Sequence, residues 1–432
     1  MRKYFLNTSY LMVEKAFRLI SGVIVGIWVA RYLGPEDFGL LSYSQAVIFF
    51  LASVAGLGLD SIVVRDLLGK RASPEKIMGT SFFLKLATSF LFTLIFAGIV
   101  LNYYDESPST LILFILSLCL IFQSLNVIDL SFQARVLSKY VVFSNCIALG
   151  ISSLTKIYLI LIKAQLVWFS LAILIDAIVL SLGLLYWYKQ KGIESTANWK
   201  FDFVVAKTLL RDSWPLIFSS VLVAIYMKID QVMIKHMIGN ASAGVYAASI
   251  KLSEIWYIVP VAICASLFPA LVNAKSISTE LYQKRLVMLY SLLIWMAICV
   301  SIVTVVIGEE LVLFLYGDDY KESGKIFILH MWSGVFAFLG IAFGKFLAIE
   351  GLTKKSMVRT FYGALLNIVL NFFLIPAYGL IGAACATLFS QFISNYLYDY
   401  FDGTLRRYIH LKNNAFMFPF IYLYSKFTHG KS

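Results

Sequence analysis

Residues 21–59 read SGVIVGIWVARYLGPEDFGLLSYSQAVIFFLASVAGLGL, two apolar runs on either side of a short turn. Each run has roughly 20 residues, the length that a helix needs to cross about 30 Å of hydrocarbon. Gly34 ends the first helix, Pro35 turns the chain, and the second helix begins near Gly39. This stretch therefore predicts two membrane-spanning helices joined by a tight hairpin.

The rest of the 432-residue chain has the same character, with 60% hydrophobic and only 14% charged residues. Such a composition excludes a soluble protein of this length. Apolar runs of sufficient length predict an all-α integral membrane protein with about twelve spans. The predicted spans are 11–30, 38–59, 77–101, 110–128, 140–161, 168–187, 214–234, 243–271, 286–307, 326–349, 358–373 and 382–400.

The connections between spans differ sharply in their basic residues. The amino terminus, the connections after even-numbered spans and the carboxyl tail together hold 23 Lys and Arg, whereas the connections after odd-numbered spans hold 5. Basic residues accumulate on the cytoplasmic side of a membrane protein. We therefore expect both termini to be cytoplasmic, and the net charge of +12 follows largely from topology rather than from binding to nucleic acid.

Other common signals are missing from the sequence. We expect no cleaved signal peptide, because Glu14, Lys15 and Arg18 interrupt the first apolar run. All five cysteines fall within predicted spans, which argues against a disulfide framework. The four histidines are scattered, so we expect no metal site, and no Gly-x-x-x-x-Gly-Lys-Ser/Thr motif suggests direct use of ATP. No cofactor is expected.

The hairpin near Gly34 has a counterpart 205 residues later, where Gly239 and Gly244 repeat the spacing of Gly34 and Gly39. Six spans separate the copies, and an even number makes the two halves parallel, related by an axis along the membrane normal. This predicts two parallel six-helix bundles around a central cavity. The expected segments are a bundle at 1–188, a cytoplasmic connection at 189–213, a bundle at 214–405 and a tail at 406–432, whose apolar part at 415–427 lies in the interface.

Six cations lie well inside predicted spans, although a cation at the centre of a bilayer helix costs about 2.5–3.5 kcal/mol even on the mild insertion scale. Such residues usually line a polar pathway. By the predicted topology, one group belongs to the cytoplasmic half of the membrane and one to the periplasmic half. The first group is Arg18, Lys85 and Lys345, and the second is Lys156, Lys228 and Lys251.

Helical spacing separates these cations by their local partners. Arg18 lies four residues after Glu14, and Lys251 lies three before Glu254, so each pair can neutralise itself along one helix face. Lys345 lies near the cytoplasmic end of its span, with Glu350 just beyond, so its ammonium group can extend to the interface. Lys85, Lys156 and Lys228 have no carboxylate at helical spacing and are the strongest candidates for a cavity.

Two carboxylates and several amides are also placed within spans. Asp176 and Asp230 are candidates for proton or sodium coupling, and the alternative is that each simply holds a neighbouring helix. The amides are candidates for polar walls that contact sugars, with hydrogen bonding between helices as the equally simple alternative. They are Gln45, Gln123, Asn126, Asn145, Asn367, Asn371 and Gln391.

Four segments of the chain resemble the Wzx-type polysaccharide repeat-unit (O-antigen) flippases, within the superfamily of multidrug, oligosaccharidyl-lipid and polysaccharide exporters. The segments are ARYLGPEDFGLLSYSQA at 30–46, MKIDQVMI at 227–234, LFLYGDDYKESG at 313–324, and EGLTKKSMVRTFYGALLNIVLNFFLIPAYGLIGAACATLFSQ at 350–391. Their order and spacing are more specific than any one of them. The last segment matches the eleventh and twelfth spans of that family.

This resemblance implies a transporter, not an enzyme, in a bacterial inner membrane. It implies translocation of undecaprenyl-diphosphate-linked oligosaccharide repeat units from the cytoplasmic to the periplasmic leaflet by alternating access, for O-antigen or related surface polysaccharide. The buried cations then have a partner, because a cationic cavity offsets the cost of desolvating a diphosphate. A polymerase and a chain-length regulator are possible partners in the same pathway.

Two other functions stay open on the sequence alone. An ion-coupled multidrug exporter of the same superfamily would favour an acidic cavity for cationic drugs, whereas the cations inside the spans outnumber the carboxylates here. A membrane polysaccharide polymerase would need clustered catalytic groups in a sizeable loop. The longest connection, at 188–213, has no acid pair with a histidine or metal signature.

Overall fold

The computed structural model describes residues 2–69, 71–103, 108–193 and 196–418. Within these ranges the chain forms α-helices, short 3-10 turns and one π-helical turn at Ile393–Leu397, and it contains no β-strand. A bilayer offers no hydrogen-bond partners to the backbone, so an apolar chain that crosses it satisfies its amides and carbonyls within each helix. The all-α fold that composition predicted is confirmed.

The chain divides into two compact units, Met1–Lys235 and His236–Ser432. The helices of the first unit are α1 (Arg2–Ala55), α2 (Asp60–Gly69), α3 (Pro74–Tyr103), α4 (Pro108–Gln123), α5 (Val127–Ala134), α6 (Lys139–Leu161), α7 (Leu166–Gln190) and α8 (Phe203–Met237). Those of the second are α9 (Asn240–Glu254), α10 (Ile258–Ile277), α11 (Thr279–Tyr316), α12 (Ser323–Ile349), α13 (Thr353–Phe392) and α14 (Tyr398–Phe401), followed by a tail helix at residues 409–418.

The number of spans agrees with the prediction. Ten helical stretches among the described residues are long and apolar enough to cross a membrane. Two of them, Ser21–Gly69 and Thr353–Phe401, have 49 residues each, far more than the roughly 20 that one crossing needs. Thr353–Phe401 contains two predicted spans, Ser21–Gly69 contains the second span and the latter part of the first, and each of the other eight contains one. The predicted spans are helical apart from the turn at residues 56–59, which ends the second of them.

Hairpins interrupt the two long stretches at glycines with positive φ. Gly34 has φ 71° and ψ 171° within α1, and Gly379 has φ 59° within α13. Residues that carry a side chain rarely adopt a positive φ, whereas glycine does so without a steric penalty. Gly239, with φ 131°, precedes α9 in the same way. The turns predicted at Gly34 and Gly239 are confirmed.

The interior of each unit is apolar. In the first unit, spans from α1, α4 and α7 meet around side chains such as Leu41, Leu116 and Phe169. In the second unit, α11 and α12 pack through Tyr290 and Phe343, whose ring centroids are 6.4 Å apart. The tail helix joins this second core through Leu411 and the fully buried Ala415. Residues 419–427 of the expected interfacial segment lie outside the described residues.

Large apolar side chains also cover the outside of the helices. Leu154, Phe314 and Phe372 are more than half exposed, as are many others on the long helices. A surface of this kind would drive aggregation in water but is the normal surface of a protein that faces lipid chains. The length of the helices and the nature of their surface together establish a multi-pass membrane protein.

Candidate functional site

A polar cavity of about 670 Å³ lies within the first unit. Its walls come from the end of α1, from α2 and α3, and from the adjoining ends of α4 and α5. The wall residues combine two carboxylates, one ammonium group, three amides and three hydroxyls. These residues are Asp60, Asp129, Lys85, Gln123, Asn126, Gln133, Ser61, Ser89 and Ser124.

An ion pair between Lys85 and Asp60 stands at the wall of this cavity. The Lys85 ammonium donates a hydrogen bond to Asp60 Oδ1 at 2.6 Å. The side chain of Lys85 is 7% exposed, and that of Asp60 is 73% exposed. The sequence assigned Lys85 no partner, because no carboxylate lies three or four residues away in its own helix. The partner comes instead from the first residue of α2, which the turn after α1 brings beside α3.

Asp129 is a second carboxylate of the cavity that sequence reasoning missed. It lies in the first turn of the short helix α5, hydrogen bonds to Gln133, and is within electrostatic range of Asp60 and Lys85. It lies just past residue 128, the predicted end of span four, so it was not counted among the charged residues inside spans. The amides Gln123 and Asn126, which the sequence did single out for polar walls, both line this cavity.

Arg18 forms the local pair with Glu14 that helical spacing allowed as one alternative. Its Nε donates to Glu14 Oε1 at 2.9 Å, and its Nη2 donates to the side-chain oxygen of Asn145 on α6, also at 2.9 Å. Half of the Arg18 side chain remains exposed. Arg18 therefore joins α1 to α6.

Lys156 and Asp176 face each other from α6 and α7. Lys156 has no carboxylate at helical spacing, yet it and Asp176 lie within electrostatic range of each other. Both side chains are half-buried, and Asp176 Oδ1 has no hydrogen-bond partner among the described residues. The structure thus brings together one of the predicted cavity cations and one of the carboxylates predicted for proton or sodium coupling.

Lys228 and Asp230 both lie on α8, within the first unit. The Lys228 ammonium lies 6.0 Å from the centroid of the Phe49 ring, on the second half of α1. Asp230 is buried, with 6% of its surface exposed. Neither residue lines the cavity around Lys85.

The remaining predicted cations belong to the second unit. Lys251 is half-buried on α9. Lys345, on α12, lies 5.9 Å from the centroid of the Phe268 ring. Glu350, which follows Lys345 in the sequence, pairs with Lys275 at 2.8 Å. Six of the eight predicted site residues therefore belong to the first unit, and these two belong to the second.

Among the residues that the structure describes, no group of three or more His, Cys, Asp or Glu side chains is arranged to hold a metal ion. The five cysteines are free. The chemistry available at the cavity is therefore that of one ammonium, two carboxylates and a set of neutral polar groups. Such groups bind and orient a polar ligand.

The sequence of most of the first unit and part of the second matches a known family. Residues 28–325, well over half of the chain, match the family described as polysaccharide biosynthesis protein. The chain belongs to this family. The family resemblance inferred from the four sequence segments is confirmed.

Two curated relatives extend over most of the chain. The capsular polysaccharide biosynthesis protein CapF of Staphylococcus aureus is 22% identical, over 91% of this chain and 98% of its own. A putative O-antigen transporter of Shigella flexneri is 26% identical, over 83% of this chain and 87% of its own. By their names, the first of these relatives takes part in capsular polysaccharide biosynthesis and the second in O-antigen transport.

Two solved structures share the fold of this member of the polysaccharide biosynthesis family. An inward-facing multidrug resistance MATE transporter of the MOP superfamily has a TM-score of 0.73 and 16% identity, covering 92% of this chain and 96% of that one. The lipid II flippase MurJ, in an inward closed conformation, has a TM-score of 0.71 and 15% identity, covering 97% and 92%. At these identities the likeness establishes the fold alone.

Proposed function

We propose that the protein is a flippase for undecaprenyl-diphosphate-linked oligosaccharide repeat units. It moves them from the cytoplasmic to the periplasmic leaflet of a bacterial inner membrane by alternating access, for O-antigen or related surface polysaccharide. Both termini are cytoplasmic in this proposal, in keeping with the distribution of basic residues. The names of the relatives, a capsular polysaccharide biosynthesis protein and a putative O-antigen transporter, support this class of cargo.

The observation that carries the proposal is the buried ammonium of Lys85 in a large polar cavity inside a membrane protein. A lipid-linked glycan has two polar parts that must leave water, a diphosphate and a set of hydroxyls. A buried cation forms strong charge-assisted hydrogen bonds with phosphate oxygens. The amides Gln123, Asn126 and Gln133 supply donors and acceptors for the sugar.

The other cations provide further contacts along the path in this proposal. Those predicted for the cytoplasmic half meet the diphosphate first, and those predicted for the periplasmic half meet it after the conformational change. The first group is Arg18, Lys85 and Lys345, and the second is Lys156, Lys228 and Lys251. Asp176 and Asp230 serve proton or sodium coupling. A polymerase and a chain-length regulator of the same pathway act on the product.

A complementation experiment tests this function. A strain that lacks its own repeat-unit flippase receives the wild-type gene, Lys85→Ala or Lys76→Ala, and surface polysaccharide is measured by electrophoresis with glycan staining. Lys76 is the matched control, because it forms a lysine–aspartate pair with Asp202 at 2.7 Å outside the cavity. We expect the wild type and Lys76→Ala to restore the polysaccharide, and Lys85→Ala, at equal membrane abundance, to fail. Unchanged surface polysaccharide after deletion of the gene, in a strain where no other flippase substitutes, would overturn the proposal.

A multidrug exporter is the second candidate, and one observation favours it. The cavity contains two carboxylates, Asp60 and Asp129, for one ammonium group, and carboxylates attract cationic drugs. An exporter predicts that deletion of the gene sensitises cells to cationic dyes and leaves surface polysaccharide intact. The flippase predicts the reverse, so both readouts on the same deletion strain separate the two functions.

A further inference from the structure

Loss of the Lys85–Asp60 pair is energetically more unfavourable for Lys85 than for Asp60. The Lys85 side chain is 7% exposed, and a buried ammonium group without an anion is strongly unfavourable. The Asp60 side chain is 73% exposed, and an exposed carboxylate loses little when its partner leaves, because water solvates it. Lys85 therefore needs an anion at all times, whereas Asp60 does not need Lys85.

Asp60 also has a second source of stabilisation. It is the first residue of α2, a helix of ten residues, and a carboxylate at a helix amino terminus interacts favourably with the helix dipole. This interaction persists when Lys85 binds another anion. Asp60 can thus give up the ammonium group and remain charged at the same position.

We propose that Asp60 is a displaceable counter-ion, which pairs with Lys85 while the cavity is empty and gives way to the diphosphate of the incoming substrate. The inference rests on the proposed function, because it takes the lipid-linked diphosphate as the incoming anion. Phosphate oxygens accept the same hydrogen bonds from an ammonium group as a carboxylate does. The exchange keeps Lys85 paired before and after the substrate enters, so the cavity never contains a bare buried cation.

The exchange makes the pair a selectivity device. A ligand without a strong anionic group does not compete with Asp60 for Lys85 and leaves the pair intact. A ligand with a diphosphate competes, and its sugar then meets the amides of the same cavity, among them Gln123 and Gln133. Affinity for the cargo is the difference between the two ion pairs rather than the full strength of one.

Asp129 also disfavours an anion in the same cavity, by charge repulsion rather than by competition for Lys85. It repels a diphosphate through its charge, but it is not hydrogen bonded to Lys85 in the structure, where the lysine donates to Asp60. Competition acts only through Lys85, whereas repulsion acts with or without it. A double-mutant cycle therefore distinguishes the role proposed for Asp60 from a general effect of negative charge.

The test measures binding of inorganic diphosphate to the full chain in lipid nanodiscs by isothermal titration calorimetry. We expect Asp60→Asn to bind diphosphate about tenfold tighter than the wild type. Lys85→Ala should lose most of the binding, and Asp60→Asn should tighten binding much less in the Lys85→Ala background than in the wild type, because only the loss of its charge repulsion acts there. Asp129→Asn should tighten binding in both the wild-type and the Lys85→Ala backgrounds.

Asp202→Asn is the matched control, because Asp202 pairs with Lys76 at a similar distance outside the cavity, and its loss should leave diphosphate affinity unchanged. If Asp60→Asn is not recovered as folded protein, Asp60→Ser repeats the test, since serine also suits a helix amino terminus. Equal affinity in the wild type and the Asp60 variant overturns the proposal. So does an Asp60 effect that is equally large in the Lys85→Ala background.

The outcome is separable from that of the flippase proposal. If the variants show the expected binding cycle but the gene does not restore surface polysaccharide, the counter-ion exchange is supported and the proposed cargo is wrong. If the gene restores polysaccharide but diphosphate binding does not depend on Asp60, the flippase function is supported and the counter-ion exchange is wrong.

Discussion

Lys412 and Asp399 form an ion pair in which both side chains are buried, with 0% and 1% of their surfaces exposed. The Lys412 ammonium also donates to the carbonyl oxygen of Asn395 at 2.7 Å and lies 3.6 Å from the centroid of the Phe343 ring. Lys412 belongs to the tail helix, whereas the other three residues belong to the helices of the second unit. The pair therefore fastens the tail helix to the other helices of that unit.

Replacement of Lys412 with methionine should destabilise the protein by about 3–5 kcal/mol, because Asp399 is left as an uncompensated buried charge. Thermal unfolding in detergent, followed by circular dichroism, measures the change. The double variant Lys412→Met with Asp399→Leu is the control and should recover most of the lost stability, since no buried charge remains. A single variant as stable as the wild type would contradict this account of the tail.

Gly382 lies where the chain turns back after the hairpin at Gly379. A Cβ atom at Gly382 would lie 2.0 Å from the carbonyl oxygen of Leu374, a backbone atom that cannot move aside alone. Gly382→Ala should therefore lower the free energy of unfolding by about 1–3 kcal/mol. Gly344→Ala is the matched control, because nothing lies within 4 Å of the added atom, and alanine there should be neutral or stabilising by up to about 1 kcal/mol. The unfolding temperatures of the two variants test this difference.

Asp202 should contribute to stability in a way that depends on pH. Lys76 donates to its Oδ2 at 2.7 Å, and the amides of Val204 and Val205 donate to its Oδ1 at 2.9 and 3.2 Å. These bonds, that of Lys76 foremost, lower the pKa of Asp202 below its ordinary value of 3.8. A lowered pKa means that the carboxylate stabilises the folded state fully above pH 3.8 and loses this effect as the pH falls through the folded-state pKa.

Asp202→Asn should accordingly be less stable than the wild type at pH 7, and the difference between their unfolding temperatures should shrink towards pH 3. A difference that is constant over this range would mean that ionisation of Asp202 does not contribute. The same measurement on Lys76→Gln should give a similar trend, because it removes the first of the groups that lower this pKa.

The orientation of the spans is open to a direct test. In a variant without the five native cysteines, a cysteine at Lys163, after α6, should react with a membrane-impermeant maleimide added to intact cells. A cysteine at Lys191, after α7, should react only after the cells are opened, because the basic connections are expected to be cytoplasmic. The opposite labelling pattern would mean that the true topology is the reverse of the predicted one. The cytoplasmic and periplasmic groups of cations would then change places.

Asp176 should affect coupling more than folding. Its Oδ1 is buried without a hydrogen-bond partner among the described residues, while Lys156 lies within electrostatic range. We expect Asp176→Asn to fold and to export glycan slowly, with a rate that no longer responds to an imposed proton or sodium gradient. Inverted vesicles that carry lipid-linked glycan measure the rate with and without each gradient. An unchanged response to both gradients would remove Asp176 from the coupling role.

Much of this fold is determined by local features of the sequence. The length and hydropathy of each apolar run determine a span, because a helix must cross a fixed thickness of hydrocarbon. The turns at Gly34 and Gly239 follow from residues that accept positive φ, and the Glu14–Arg18 pair follows from the helical repeat. In each case the interacting groups lie within a few residues of one another.

The partners of the buried charges were decided only by tertiary structure. Lys85 finds Asp60 25 residues away on another helix, and Lys412 finds Asp399 from the tail helix. Asp129 joins the cavity because the short helices α2 and α5 meet beside α3. The sequence predicted, from apolar flanking residues, which charges lie inside the spans. It did not determine their partners, because helical periodicity describes the faces of one helix and contains no information about which faces of different helices meet.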